Sequence, residues 1–204
     1  MKEFWNDRYQ EEGWAYGSEP NEFVKQQLEK ISNKNLSALF PAEGEGRNAV
    51  YAAKLGFQVS AFDISESGQQ KATDLASNFN VTIDYRVASF DSVDFPLGCF
   101  DVLVFSYTHF PKSLQVSFIS KMLEFLKPDG QIIFECFSQN NIPYREKNPQ
   151  VGGPDNLDML YSVDSVRDLF AECREINATE EITYLNEGKY HVGEACVIRV
   201  LGQK

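Results

Sequence analysis

The chain has 204 residues, 43% of them hydrophobic and 24% charged, which suits one domain with a sizeable core. A formal net charge of −11 repels phosphate backbones, so no nucleic acid is expected as a partner and a small neutral or cationic ligand fits better. The first residues, MKEFWNDRYQEEGW, carry no apolar run, and nowhere do roughly 20 apolar residues follow one another, so neither a signal peptide nor a membrane span is expected and the chain reads as cytoplasmic.

From about residue 36 strand-like and helix-like segments alternate. NLSALF is a short apolar run that stops at Pro41. GRNAVYAAKLG is rich in alanine and predicts a helix with Gly56 as its C-terminal glycine. FQVSAFD alternates as a strand. SESGQQKATDLASNF opens with a serine cap and sets Ala72, Leu75, Ala76 and Phe79 at helical spacing. VTIDYRVA predicts a third strand, and FDVLVFSY is the continuous apolar run of a strand buried on both faces. Leu114, Phe118, Met122 and Leu126 predict one face of a helix ended by Lys127-Pro128-Asp129-Gly130. QIIFECF follows as a fifth strand.

After a polar stretch, Gln139 to Asn156, comes a helix around Val163 to Glu172. EINATEEITYL and YHVGEACVIRVLG then read as two strands with a turn near Glu187-Gly188, joined without a helix and therefore antiparallel. The pattern predicts an α/β fold in three layers: a mainly parallel sheet covered by helices on both faces, with an antiparallel hairpin at its C-terminal end. One domain spans residues 1–204. Pro143, Pro149, Gly152, Gly153 and Pro154 make 139–156 longer than an ordinary connection, a candidate substrate lid against the alternative of a plain disordered loop. Cys99, Cys136, Cys173 and Cys196 lie far apart, with no Cys-x-x-Cys pair, and predict reduced buried thiols and no metal site.

The loop PAEGEGRNA, at the end of the first strand, fits the Gly-x-Gly-x-x-Ala form of a nucleotide-binding turn. Gly44 and Gly46 clear side chains from the path of a ligand, and Asp63, ending the second strand, is placed to accept hydrogen bonds from two ribose hydroxyls. A pyrophosphate at this helix N-terminus calls for a neutral or cationic loop. Glu43 and Glu45 oppose one by like charge, whereas S-adenosylmethionine has no phosphate and brings an ammonium that a glutamate can face. The alternative is that both acids complement the helix dipole or point into water. A nicotinamide-dependent oxidoreductase is the competing reading, but none of the nine tyrosines opens a Tyr-x-x-x-Lys motif. A cofactor-binding module without catalysis is the third.

With these residues in place, the chain resembles the class I S-adenosylmethionine-dependent methyltransferases, and within them the small tellurite-resistance-type branch. The resemblance runs over nearly the whole chain. FWNDRY and YGSEPNEF (Tyr16 to Phe23) look like that branch's entry motif, AEGEGRNA like its first methyltransferase motif, AFDIS like the ribose-binding motif, LKPDG like the region before the fifth strand, and GGPDNLDMLY and EGKYHVGEA like its C-terminal signatures. The family at large carries an acid at Phe40 and a third glycine at Ala42, and the chain departs from it there. The resemblance implies a Rossmann-like seven-stranded sheet and an N-terminal segment, 1–35, that covers the cofactor. It also implies that Glu43, Gly44, Gly46 and Arg47 line the methionine end, that Asp63 holds the ribose with Ile64 against the adenine, that Ser89 and Phe90 contact the adenine, and that Ser106 lies near the sulfonium. Relatives often carry Asp or Asn at the Ser89 position.

Methyl transfer needs the nucleophile in line and water excluded; a base is needed only where the nucleophile must lose a proton. His109, just past the fourth strand, is a candidate base, against the alternative of a structural histidine. His191 resembles a histidine near the end of the tellurite-resistance enzymes, which follow it with arginine where this chain has Val192; a capped turn is the alternative. Tyr16 is a candidate for a cation–π contact with the sulfonium, against plain packing. Glu135 ends a strand that points at the site, against the alternative of pairing with a neighbour on the surface. The expected acceptor is a small molecule or a soft inorganic nucleophile.

Overall fold

The computed structural model describes residues 1–204. Seven strands, β1 Ser37–Pro41, β2 Gln58–Asp63, β3 Asp84–Val87, β4 Phe100–Ser106, β5 Leu126–Phe137, β6 Glu175–Glu187 and β7 His191–Gln203, alternate with helices α1 Lys2–Gln10, α2 Glu22–Lys30, α3 Arg47–Leu55, α4 Glu66–Asn78, α5 Lys112–Phe125, α6 Ile142–Lys147 and α7 Val163–Leu169. The strands form one sheet in the order β3-β2-β1-β4-β5-β7-β6. β1 to β5 pair in parallel, and β7 runs antiparallel to both β5 and β6. The C-terminal hairpin read from the sequence is there, and β7 is the one reversed strand. The order turns back between β1 and β4, and at such a switch point a crevice opens beyond the carboxyl ends of the strands.

Side chains alternate along each strand between two apolar layers, as the pleat requires. On β1, Leu39 packs with Phe62, Leu103, Phe105 and Phe134 toward α5 and α7. Ala38 and Phe40 pack with Val59, Ala61, Val102 and Val104 toward α2 and α3. Local signals hold the helices in place. Gly56 takes a left-handed conformation at φ 103° and closes α3, while the Ser65 hydroxyl accepts the Gly68 N–H at 3.0 Å to open α4.

Two features of α5 differ from expectation. The buried face of α5 is Gln115, Ile119, Met122 and Leu123; Leu114, which begins the expected stripe, is exposed. The helix also stops at Phe125, and Leu126–Gly130 joins β5 as an irregularity in its pairing with β4. Asp129 turns there at φ 64° and donates its N–H to the Lys204 carbonyl at 3.1 Å. Residues 139–156 are ordered, built from short 3₁₀ turns around α6, with Val151 buried and the Asn148 amide donating to the Val192 carbonyl at 2.9 Å. No helix is long and apolar enough to cross a membrane.

Candidate active site

The loop after β1 is shaped by its glycines. Gly44 (φ 62°) and Gly46 (φ 85°) both sit in the left-handed region. A Cβ on Gly46 would lie 2.4 Å from Cβ of Ala72 on α4, and one on Gly44 would lie 2.5 Å from the Tyr9 hydroxyl. Asp63, at the end of β2, accepts the Gly44 N–H at 3.2 Å and the Ser65 N–H at 2.9 Å. Tyr85 donates its hydroxyl to the Gly44 carbonyl at 2.5 Å. Burial pushes the Asp63 carboxyl up to about 6, against the pull of these backbone donors. Ile64 follows Asp63, half-buried.

The two loop glutamates part company. Glu43 turns onto the start of α3 and accepts the N–H groups of Asn48 and Ala49, both at 2.8 Å, meeting two of the helix's unpaired donors. Burial pushes it up to about 7. Glu45 is buried and reaches the other way. It accepts the Ala15 N–H at 2.9 Å and pairs with Lys71 at 2.8 Å, pinning the N-terminal segment over the loop. It neither points into water nor complements the dipole. Arg47, also buried, donates to the Tyr16 carbonyl and to Glu187, each at 2.8 Å.

A second group gathers at the ends of β4, β5 and the β6–β7 hairpin. Glu135 is wholly buried, held by Arg199 at 2.6 Å and by the Asn21 amide. The Asn21 amide also donates to Glu187 at 3.0 Å. His191 is buried, with Nδ1 3.3 Å from the Glu187 carboxylate. The Tyr16 ring lies 4.5 Å from it, centroid to centroid. Ser106, Tyr107 and Thr108 each bury a hydroxyl with no hydrogen-bond partner. Three orphaned hydroxyls in a row, where the chain leaves β4, are what a site for a polar ligand presents, since such groups are costly when left unpaired.

Other candidates sit elsewhere. His109 uses both ring nitrogens on backbone: Nδ1 lies 2.9 Å from the Met159 carbonyl, and Nε2 accepts the Phe137 N–H at 3.3 Å. Burial pulls it down to about 4. It is a neutral imidazole with no nitrogen free for a substrate proton. The Ser89 hydroxyl is spent on Ser92 at 3.0 Å. The Phe90 ring packs among Phe62, Phe110 and Phe118 at centroid distances of 5.1, 4.5 and 4.9 Å.

Residues 41–130 match the family model of a methyltransferase domain. The likeness to that domain covers less than half of the chain, and it implies S-adenosylmethionine as the cofactor. No curated protein matches the sequence significantly. Solved structures match the fold over most of the chain. One comes from work on the conversion of a disulfide bond into a thioacetal group during echinomycin biosynthesis, with a TM-score of 0.75, 18% identity, and coverage of 100% of this chain and 91% of that one. A second is an S-adenosylmethionine-dependent methyltransferase from Methanosarcina mazei, with a TM-score of 0.66, 18% identity, and coverage of 87% and 96%. TehB from Haemophilus influenzae has a TM-score of 0.67 and 16% identity, covering 91% of this chain and 62% of its own.

The matched stretch, residues 41–130, holds the glycine loop and Asp63, but not the residues that complete the site around them. From outside it Tyr9 packs on Gly44, Glu187 takes Arg47 and Asn21 donates its N–H to Asn48 at the start of α3, and Glu135 lies behind Asn21; the sequence assigned no role to Tyr9, Asn21 or Glu187. The one signal for Tyr9 is its place in FWNDRY. Glu187 stands four residues before His191, across a turn that gives no sign that the two side chains meet. For the cofactor, the fit is good. A carboxylate ends β2 against the glycine loop, whose two glycines let it pack under Tyr9 and α4, and the loop carries no lysine that would serve a pyrophosphate.

Proposed function

We propose that the chain moves a methyl group from S-adenosylmethionine to a small-molecule or soft inorganic acceptor, of the thiol, selenium or tellurium-oxyanion type. The cofactor supplies an electrophilic methyl on a sulfonium that leaves as a neutral thioether. The protein's part is to hold, orient and exclude water. In this reading the backbone at Gly44 and Gly46 lines the methionine end, with Glu43 and Arg47 beside it. Asp63 takes the ribose hydroxyls, Ile64 flanks the adenine, and Ser89 and Phe90 border it from the turn after β3. Ser106 stands at the end of β4 next to the reacting centre. Tyr16 closes the site from the N-terminal segment, and His191 faces the acceptor. His109 keeps its place in the wall, holding residues 137 and 159 together.

The observation that carries the reading is the Gly44–Asp63 hydrogen bond at 3.2 Å. It joins the glycine loop and the acid after β2 into one cradle at the switch point of the sheet. The four unpaired cysteines support a reducing compartment and so a cytoplasmic setting. A sulfur acceptor is further supported by the likeness to a structure from work on disulfide-to-thioacetal conversion. Calorimetry tests the reading: S-adenosylhomocysteine should bind, and Asp63→Ala should weaken it at least about tenfold, the loss of one or two charge-assisted hydrogen bonds. Absence of binding to folded protein overturns it.

A further inference from the structure

Glu187 ends β6 and His191 opens β7, paired across the hairpin turn. The turn sets Nδ1 of His191 3.3 Å from Oε2 of Glu187. That carboxylate also takes Arg47 at 2.8 Å and, on its other oxygen, the Asn21 amide at 3.0 Å. Burial alone would raise the Glu187 carboxyl, but the Arg47 charge and the His191 contact overcome it and hold it at about 2. An ionised carboxylate only accepts, so the imidazole nitrogen facing it carries the proton. Nε2 is then the basic nitrogen, and the contact through Nδ1 is the only hydrogen bond of the ring. Around the imidazole stand the rings of Tyr16, Tyr107 and Phe137, at centroid distances of 4.5, 4.4 and 5.2 Å, and the Tyr107 hydroxyl is without a partner.

We propose, on the methyltransferase reading above, that Glu187 is a positioning residue that fixes His191 in its Nδ1–H form, that Nε2 is the general base of the transfer, and that the acceptor is a neutral thiol on a flat apolar body. Aromatic walls suit both such a body and a polarisable sulfur. The charged and titratable groups that bear on His191 are Glu187 from β6, Arg47 from α3 and Arg8 from α1, with His109 beyond β4 and Tyr16 from the N-terminal segment. Tyr107 in turn faces both Glu135 and Glu187. Glu187 is offset by Arg47 and Glu135 by Arg199, so the site carries no excess of either sign, and a thiol below its own pKa enters protonated and must lose its proton in place. A thiol near pKa ~8.5 can give that proton to an imidazole, and an alkyl alcohol cannot. As the S–H bond breaks, its proton goes to Nε2. An electron pair of the acceptor sulfur forms the bond to the methyl carbon, and the pair that held that methyl leaves with the donor's sulfur. The imidazolium so formed is balanced by Glu187.

Nitrogen-15 NMR of the whole chain without donor reads the tautomer directly. The expected result is a protonated Nδ1 and a bare Nε2 on His191, and a mixture of the two forms in Glu187→Gln. A protonated Nε2 in the unaltered chain overturns the positioning role, as does a tautomer that Glu187→Gln leaves unmoved. Thiophenols of graded acidity, with S-adenosylmethionine, read the chemistry. Glu187→Gln should lower kcat about 100-fold or more, with donor KM nearly unchanged and partial recovery in Glu187→Asp. The rising limb of its pH profile should move to lower pH, because the carboxylate that favours the imidazolium is gone. The loss in His191→Ala should fade for thiophenols already ionised at the assay pH. Methylation of phenols but not thiophenols, or of neither while S-adenosylhomocysteine still binds, overturns the thiol assignment. If S-adenosylhomocysteine does not bind, the methyltransferase reading fails and takes the acceptor with it, while the tautomer result stands separately.

Discussion

Glu43 and Glu45 stand two residues apart in one loop and serve opposite ends of the molecule. The sequence raised the question of why a cofactor loop carries two acids, and offered the ammonium of a methionine or the helix dipole as answers. Glu43 takes the dipole, accepting two N–H groups at the start of α3. Its carboxyl sits at about 7 in the fold, raised by burial. The folded state therefore holds a proton that the unfolded chain releases in the usual carboxylate range. Stability from this group is present at low pH and is lost as pH rises through about 7. Asp63, at about 6, acts in the same sense, and Glu187, at about 2, in the opposite sense, losing its contribution only as pH falls toward that value. Glu43→Gln keeps an oxygen for the two N–H groups and cannot ionise. Denaturant melts at pH 5 and pH 8 should show it gaining stability relative to the unaltered chain at the higher pH. An equal difference at both pH values would mean that Glu43 is not raised. None of this is legible in a string of letters, because composition cannot say which way a glutamate turns.

At the scale of elements, alternation along the chain was enough to place strands, helices and the antiparallel hairpin, because each strand from β1 to β5 has a continuous or period-2 apolar pattern. It failed where burial comes from tertiary contact. α1 and α2 are too polar to announce themselves, and α2 is opened by Asn21, whose side chain accepts the Val24 N–H at 2.9 Å. The expected stripe on α5 holds at Phe118, Met122 and Leu126 and misses at its first residue, because Gln115 is buried, donating to the Phe110 carbonyl at 3.0 Å, while Leu114 faces solvent. The glycine loop was read correctly as a backbone needing glycine, but the neighbour that makes Gly46 necessary is Ala72 on α4, not a ligand. Gly46→Ala sets a Cβ 2.4 Å from that of Ala72 and forces a left-handed φ on alanine. Each fault costs about 1–3 kcal/mol, so a loss of about 2–6 kcal/mol is expected in urea melts. Ala72→Gly in the same chain should return only the part of the clash due to the Ala72 Cβ, since its Cα would still lie 2.8 Å from the new Cβ, and leave the backbone share.

Across the whole molecule, the two ends of the chain close over the glycine loop, and no periodicity in the sequence joins them. Gly188 in the β6–β7 turn lies against the N-terminal segment so closely that a Cβ there would be 2.3 Å from the Gly17 nitrogen. The Lys189 and Tyr190 N–H groups both donate to the Ala15 carbonyl, at 2.8 and 3.2 Å. Beneath this junction Glu45 takes the Ala15 N–H and Lys71, and Lys71 also holds the carbonyls of Glu11 and Gly13 at 3.0 and 2.5 Å. One buried carboxylate therefore ties α4, the N-terminal segment and, through Ala15, the C-terminal hairpin into a single cover. Glu45→Gln preserves the shape and removes the charge. Hydrogen bonds to charged groups contribute about 1.5–3 kcal/mol, so the cover should open about 10- to 100-fold more often. Hydrogen exchange should show this as faster loss of protection at Ala15, Lys189 and Tyr190, with β1, β4 and β5 unchanged. Binding of S-adenosylhomocysteine should weaken by a similar factor if the cover closes on the cofactor. Faster exchange without weaker binding would mean that the cover shields only the acceptor side, where Tyr16 and His191 meet.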